Sequence, residues 1–124
     1  MTRTLKNLLI ATALILLSPL TLAEDAAPTQ TIAMVISHLN HFPSAEEKQA
    51  LSGISENKDY SAATRTLANT LASLQHKPSA DDVAALQAIV EESASTDAEK
   101  QLAKIIMGIN HKPSAEDLKV LESL

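Results

Sequence analysis

The chain has 124 residues, with 10 basic and 15 acidic side chains, a net charge of −5 and no cysteine. Without cysteine, disulfide bonds, thiol chemistry and thiolate zinc sites are excluded, so apolar burial must offset the ordering entropy of the chain. The acidic balance and the lack of a basic patch disfavour nucleic acid and anionic membrane surfaces as partners, since both require concentrated positive charge.

The first 23 residues have the layout of a cleaved signal peptide. Arg3 and Lys6 precede an apolar run at 8–17, which is shorter than the ~20 residues that a membrane-spanning helix needs. Small residues predict cleavage after Ala23. We therefore expect an exported, periplasmic protein whose single domain spans 24–124, carries a net charge of −7 and has no stable membrane association after cleavage.

A five-residue motif recurs at a spacing of 35 residues and divides this domain into three units. Such a period is typical of stacked supersecondary units, and here it predicts helix-turn-helix repeats at about 28–61, 62–96 and 97–124. In each copy a polar residue and a histidine end one helix, and the next residue precedes a proline, which disfavours helical dihedral angles. The copies are His41-Phe42-Pro43-Ser44-Ala45, His76-Lys77-Pro78-Ser79-Ala80 and His111-Lys112-Pro113-Ser114-Ala115.

The serines of the motif are predicted N-caps of the second helix in each unit. Ser44, Ser79 and Ser114 each have an acidic residue three positions later, which is the pattern of a capping box. A further capping box begins at Thr96, with Glu99 three residues on, and starts the first helix of the third unit.

Apolar residues recur with helical spacing in the first helix of each unit, and at corresponding positions. The first unit carries Ile32, Ala33, Ile36 and Leu39. The fold class is therefore all-α, with six helices that form either a short α-solenoid or a closed helical bundle. The period is similar to that of tetratricopeptide repeats, but the aromatic and small-residue consensus of that family is absent. The predicted helices are 28–41, 45–54, 62–76, 80–91, 97–111 and 115–123.

The histidines are the candidate metal ligands. His41, His76 and His111 occupy equivalent positions, and imidazole binds transition metals. Against this, imidazoles at helix ends also bond to free carbonyls, and stacked hairpins lie ~9 Å apart, too far to share one ion. The pair His38 and His41, at i and i+3, avoids the distance objection, but it lacks a third ligand.

We expect no catalysis and no cofactor. Acidic pairs such as Glu46 and Glu47 lie in the first turn of a helix, where the helix dipole and the capping box account for them. The prominent serines are caps without a base, and the two glycines, Gly53 and Gly108, form no phosphate-binding loop.

Departures from the repeat mark candidate partner-binding residues. Phe42 and Tyr60 are the only aromatic side chains, and aromatic anchors are enriched in interface hot spots, although both can also be structural. A homo-oligomer through the apolar C-terminal helix is a further expectation. The candidate partner-binding set is Phe42, Tyr60, His76, Lys77, His111 and Lys112.

The sequence thus favours a non-catalytic exported protein that acts through protein contacts. One version is an inhibitor or immunity-type binder that neutralises a basic effector, because the mature chain is small and acidic. The alternative is a periplasmic metal-binding or stress-response protein that uses the edge formed by His38, His41, His76 and His111.

Overall fold

A computed structural model describes residues 27–124, so the predicted signal peptide at 1–23 lies outside the described residues. This part of the chain is all-helical. None of its helices has both the length and the apolar character needed to cross a bilayer. The helices are α1 (Ala27–His38), α2 (Ala45–Glu56), α3 (Ala62–Ala72), α4 (Ala80–Glu91), α5 (Asp97–Met107) and α6 (Ala115–Ser123).

The predicted caps begin the helices where the sequence placed them. Ser44, Ser79 and Ser114 each accept a hydrogen bond from the backbone N–H three residues later, and the acidic side chain there bonds back to the backbone N–H of the serine. Thr96 forms the fourth capping box with Glu99. Each box satisfies two backbone donors that a helix N-terminus would otherwise leave free, so the start of each helix is encoded locally.

The first helices of the three units form the centre of the molecule. Each of α1, α3 and α5 contacts the other two. All twelve apolar positions predicted for these helices are buried, which confirms the helical periodicity. They are Ile32, Ala33, Ile36, Leu39, Leu67, Ala68, Leu71, Leu74, Leu102, Ala103, Ile106 and Ile109.

The outer helices close the bundle. α2 packs against α3, α4 packs against α5, and α6 packs against α1. Each outer helix therefore covers the inner helix of the next unit, and the last outer helix covers the first inner one. The three units are related by a pseudo-threefold axis, and of the two predicted architectures the described residues adopt the closed bundle.

The inner helices end three or four residues before the predicted ends at the histidines, at His38, Ala72 and Met107, because the chain must leave the helix before it reaches the turn. The apolar side chains of the outer helices are only partly covered. Val83 in α4, Leu118 in α6 and Leu124 just after α6 are exposed.

Candidate functional site

The three histidines lie in turns with an unusual backbone conformation. His41, His76 and His111 have φ angles of 78°, 58° and 71°, the only positive values among non-glycine residues in 27–124. Left-handed geometry costs an L-residue about 1–2 kcal/mol. Glycine adopts it most readily, and asparagine, aspartate and histidine adopt it more often than other residues. The chain places histidine at all three positions despite this cost, and strain of this kind is characteristic of functional sites.

The backbones of these turns are joined in a ring. The His41 N–H donates to the His111 carbonyl at 2.6 Å, the His76 N–H to the His41 carbonyl at 3.2 Å, and the His111 N–H to the His76 carbonyl at 2.6 Å. Each unit thus donates once and accepts once. Because this ring of three backbone hydrogen bonds surrounds the pseudo-threefold axis, it holds the three histidine Cα atoms close together.

The imidazole rings gather at the same end of the axis. Ring centroids are 4.9 Å apart for His41 and His111, 4.9 Å for His76 and His111, and 5.5 Å for His41 and His76, all in edge-to-face arrangements. The expectation that separate hairpins hold their histidines too far apart to share an ion was therefore wrong. It assumed a linear stack, whereas closure of the bundle brings the three turns together.

One nitrogen from each ring lies within 4.8 Å of the other two, and all three residues are exposed. The closest pair is Nδ1 of His76 and Nδ1 of His111, at 3.1 Å. With metal–nitrogen bonds of about 2.1 Å, neighbouring ligands are about 3.4 Å apart in tetrahedral geometry and about 3.0 Å apart in octahedral geometry. The separation of the His76 and His111 nitrogens is close to both values.

The donor set limits the metals that fit. Within residues 27–124, no carboxylate joins the three nitrogens, and the chain has no cysteine. Three imidazoles suit Zn²⁺, Cu²⁺ and Ni²⁺, whereas Ca²⁺ and Mg²⁺ require oxygen ligands and Cu⁺ favours sulfur. The site is therefore suited to a divalent transition metal.

Asn40 orients one of the three imidazoles. Its Oδ1 lies 2.9 Å from Nδ1 of His41, and because a carbonyl oxygen only accepts, the ring nitrogen donates. The lone pair of His41 is then on Nε2, which is free to bind a metal. Polar partners of this kind fix the tautomer of metal-binding histidines. Gln75 and Asn110 occupy the equivalent positions in the other two turns.

The structure separates His38 from the three-histidine cluster. His38 lines a groove of about 490 Å³ between α1 and α6, together with the exposed side chain of Met34 and with Leu118. The candidate pair of His38 and His41 is thus replaced by a set of three in which the partners of His41 come from other units. The sequence identified the three histidines as equivalent positions, but it did not show that the bundle closes and brings them together.

Most candidate partner-binding residues lie on the same face as the histidines. Phe42, Lys77 and Lys112 directly follow the three histidines, and all are exposed. Phe42 is 56% exposed, and its ring contacts Lys48 with the Nζ 5.5 Å from the centroid. Tyr60 lies at the opposite end of the bundle, half-buried against the core.

Exposed acidic residues follow each of the three turns in sequence. Glu46, Asp81 and Glu116 lie in the first turns of α2, α4 and α6, and all are exposed. The next residue of each helix, also acidic, forms the capping box. The face therefore carries three imidazoles, two lysines, Phe42 and three exposed carboxylates. We call this surface, 40–46 with 75–81 and 110–116, the histidine face.

Sequence reasoning missed a buried acid at the other end of the bundle. Glu99 is 4% exposed, and its carboxylate accepts hydrogen bonds from the Ser61 hydroxyl, from the Thr64 hydroxyl at 2.8 Å and from the Thr96 N–H at 2.8 Å. Burial raises the pKa of Glu99, but these hydrogen bonds outweigh burial and hold the pKa below its ordinary value. The capping-box pattern located Glu99, but not its partners in α3.

Comparison of the chain with known protein families, with curated proteins and with solved structures found no match.

Proposed function

We propose that the protein binds a divalent transition metal ion through His41, His76 and His111. The observation that carries the proposal is that three separate turns, 35 residues apart in sequence, bring one ring nitrogen each to within 4.8 Å of the others. Three neutral imidazole donors on one face are a recognised ligand set for zinc and copper. The role supported best is that of a metal-binding protein rather than an enzyme.

The backbone supports this proposal independently of the side chains. Glycine at the three left-handed positions would relieve a cost of about 1 kcal/mol at each turn, and neither of the two glycines in the chain is there. Edge-to-face packing of exposed rings contributes only about 0.5–1.5 kcal/mol of stabilisation per pair. This cost favours a role for the imidazole itself in all three turns.

Calorimetric titration of untagged protein with Zn²⁺ and with Cu²⁺ tests the proposal. We expect saturable binding by the wild type and a loss of affinity of about 100-fold or more in His76→Asn, because removal of a ligand exceeds the usual effect of removing a residue that orients one. Asparagine tolerates the left-handed region, so this variant keeps the turn.

His38→Asn is the matched control, since it removes the histidine that lies outside the cluster. Its affinity should equal that of the wild type. Equal affinities for wild type and His76→Asn, or loss of binding in His38→Asn alone, would show that the three-histidine cluster is not the site.

The protein-contact function remains a prediction from the sequence. An inhibitor or immunity-type binder of a basic effector rests on size and acidic charge, and export to the periplasm rests on residues 1–23, outside the described part of the chain. Of the candidate partner residues, five gather on the histidine face. That observation favours a contact surface built around the metal site.

A further inference from the structure

Among residues 27–124, the proposed site has three ligands, and no acid or further histidine joins His41, His76 and His111 in the cluster. Capping acids in the following helices are engaged by the backbone, since Glu47 accepts from the Ser44 N–H at 2.7 Å and Asp117 accepts from the Ser114 N–H at 3.0 Å. The remaining coordination positions of a bound metal therefore face outward, away from the bundle.

The three imidazoles are grouped closely enough to occupy one face of an octahedron. One nitrogen of each ring lies within 4.8 Å of the other two, and neighbouring octahedral ligands with metal–nitrogen bonds of about 2.1 Å are about 3.0 Å apart. Three donors on one face of an octahedron leave three positions on the opposite face. The same three histidines of a second copy have the symmetry to fill these three positions.

The surface around the three histidines can also pack against the same surface of a second copy. Lys77 and Lys112 are exposed on this face, as are the acidic residues Glu46, Asp81 and Glu116, so a second copy presents both signs of charge to the first. The exposed ring of Phe42 adds an apolar contact that is covered only in an assembly. A twofold axis across this face makes a closed isologous dimer.

We infer that the histidine face is a metal-dependent dimerisation surface, on which two copies of the chain share one octahedral ion bound by six imidazoles. This inference rests on the proposed metal site. The face consists of three short turns, so coordination bonds supply the stability of the dimer, and the metal-free chain is monomeric. Both copies of the triad are required for the complete site.

Light scattering of untagged protein, combined with measurement of bound nickel, tests the inference. Ni²⁺ is the probe because it favours octahedral nitrogen ligands. We expect half an equivalent of Ni²⁺ to double the molar mass and to bind at one ion per two chains, and EDTA to restore the monomer. His76→Asn should remain monomeric at every nickel concentration.

Phe42→Lys provides a variant that keeps all three ligands. It places lysine where the other two units already have Lys77 and Lys112, so the turn accepts it, but it adds a third positive charge to the facing surfaces. We expect it to bind Ni²⁺ and to dimerise at least about tenfold less tightly. Lys58→Gln, at the opposite end of the bundle, should dimerise as the wild type does.

The outcomes separate the two proposals. Nickel bound at one ion per monomer, with no increase in mass, overturns the shared site and leaves the metal-binding function intact. Absence of nickel, zinc and copper binding overturns both. Dimerisation that persists in EDTA, or that Phe42→Lys does not weaken, excludes the histidine face as the contact surface.

Discussion

Glu99 is the residue whose contribution to stability is most closely tied to pH. Its carboxylate is buried and bonded by Ser61, Thr64 and Thr96, which join α3 to α5 across the bundle. The corresponding positions in the other units are Thr64 and Thr29. Only one of the three equivalent positions is therefore acidic, and a single carboxylate can be fully satisfied by neighbouring hydroxyl groups.

Replacement of this carboxylate by an amide should destabilise the fold in a pH-dependent way. We expect Glu99→Gln to lower the free energy of unfolding by about 1–3 kcal/mol at neutral pH, because buried acceptors are lost. Since the folded pKa of Glu99 is below its ordinary value of 4.5, its contribution is complete above that value and disappears as the pH falls through the folded pKa. Urea unfolding across the acidic range measures the difference.

Glu56→Gln is the control for this measurement, since Glu56 is an exposed residue at the end of α2. It should change stability by no more than about 0.5 kcal/mol at any pH. A deficit in Glu99→Gln that is constant from neutral to acidic pH would contradict the account given for the carboxylate.

At the level of single elements, α6 shows that closure of the bundle depends on packing between helices rather than on a loop that joins them. α2 and α4 are each joined by a loop to the helix they cover, whereas α6 covers α1, at the other end of the described chain. Its buried side chain is Leu121, while Leu118 lies at the edge of the groove and is exposed. The contact between α6 and α1 therefore has no covalent support.

Truncation of the buried leucine should weaken this contact selectively. We expect Leu121→Ala to lower the free energy of unfolding by about 2–4 kcal/mol, and Leu118→Ala by less than about 1 kcal/mol, because only the first leaves a cavity. Thermal and urea unfolding measure both variants. Similar losses of unfolding free energy for the two variants would mean that α6 does not pack on α1 as described.

For the molecule as a whole, the proposed metal site connects all three units. An ion that binds only the folded state at a concentration 100-fold above its Kd adds about 2.7 kcal/mol of stability. For a domain of this size, that raises the Tm by about 10 °C or more. Scanning calorimetry with Zn²⁺ and with EDTA measures the shift, which should be absent in His76→Asn.

The shift should also depend on pH. Histidine binds metal only without its second proton, so the Zn²⁺-induced increase in Tm is expected to be smaller at about pH 5.5 than at about pH 7.5. An equal increase at both pH values, or an increase retained in His76→Asn, would place the stabilising ion elsewhere on the molecule.

The sequence alone determined the local structure of the protein. The 35-residue period, the four capping boxes and the twelve apolar positions of the inner helices specify six helices with defined starts, because caps and periodicity act over a few residues. They also identified His41, His76 and His111 as equivalent positions. The sequence left the choice between an open stack and a closed ring undecided, since both bury the same inner stripe.

Only the tertiary structure decided what those histidines form together. Packing of α6 on α1 closes the ring, and the hydrogen bonds between the three turns bring together imidazoles 35 and 70 residues apart. Local patterns carry no information about such distances, because they depend on how the last unit meets the first. For the same reason the contacts of Glu99 with α3 were visible only once the bundle was closed.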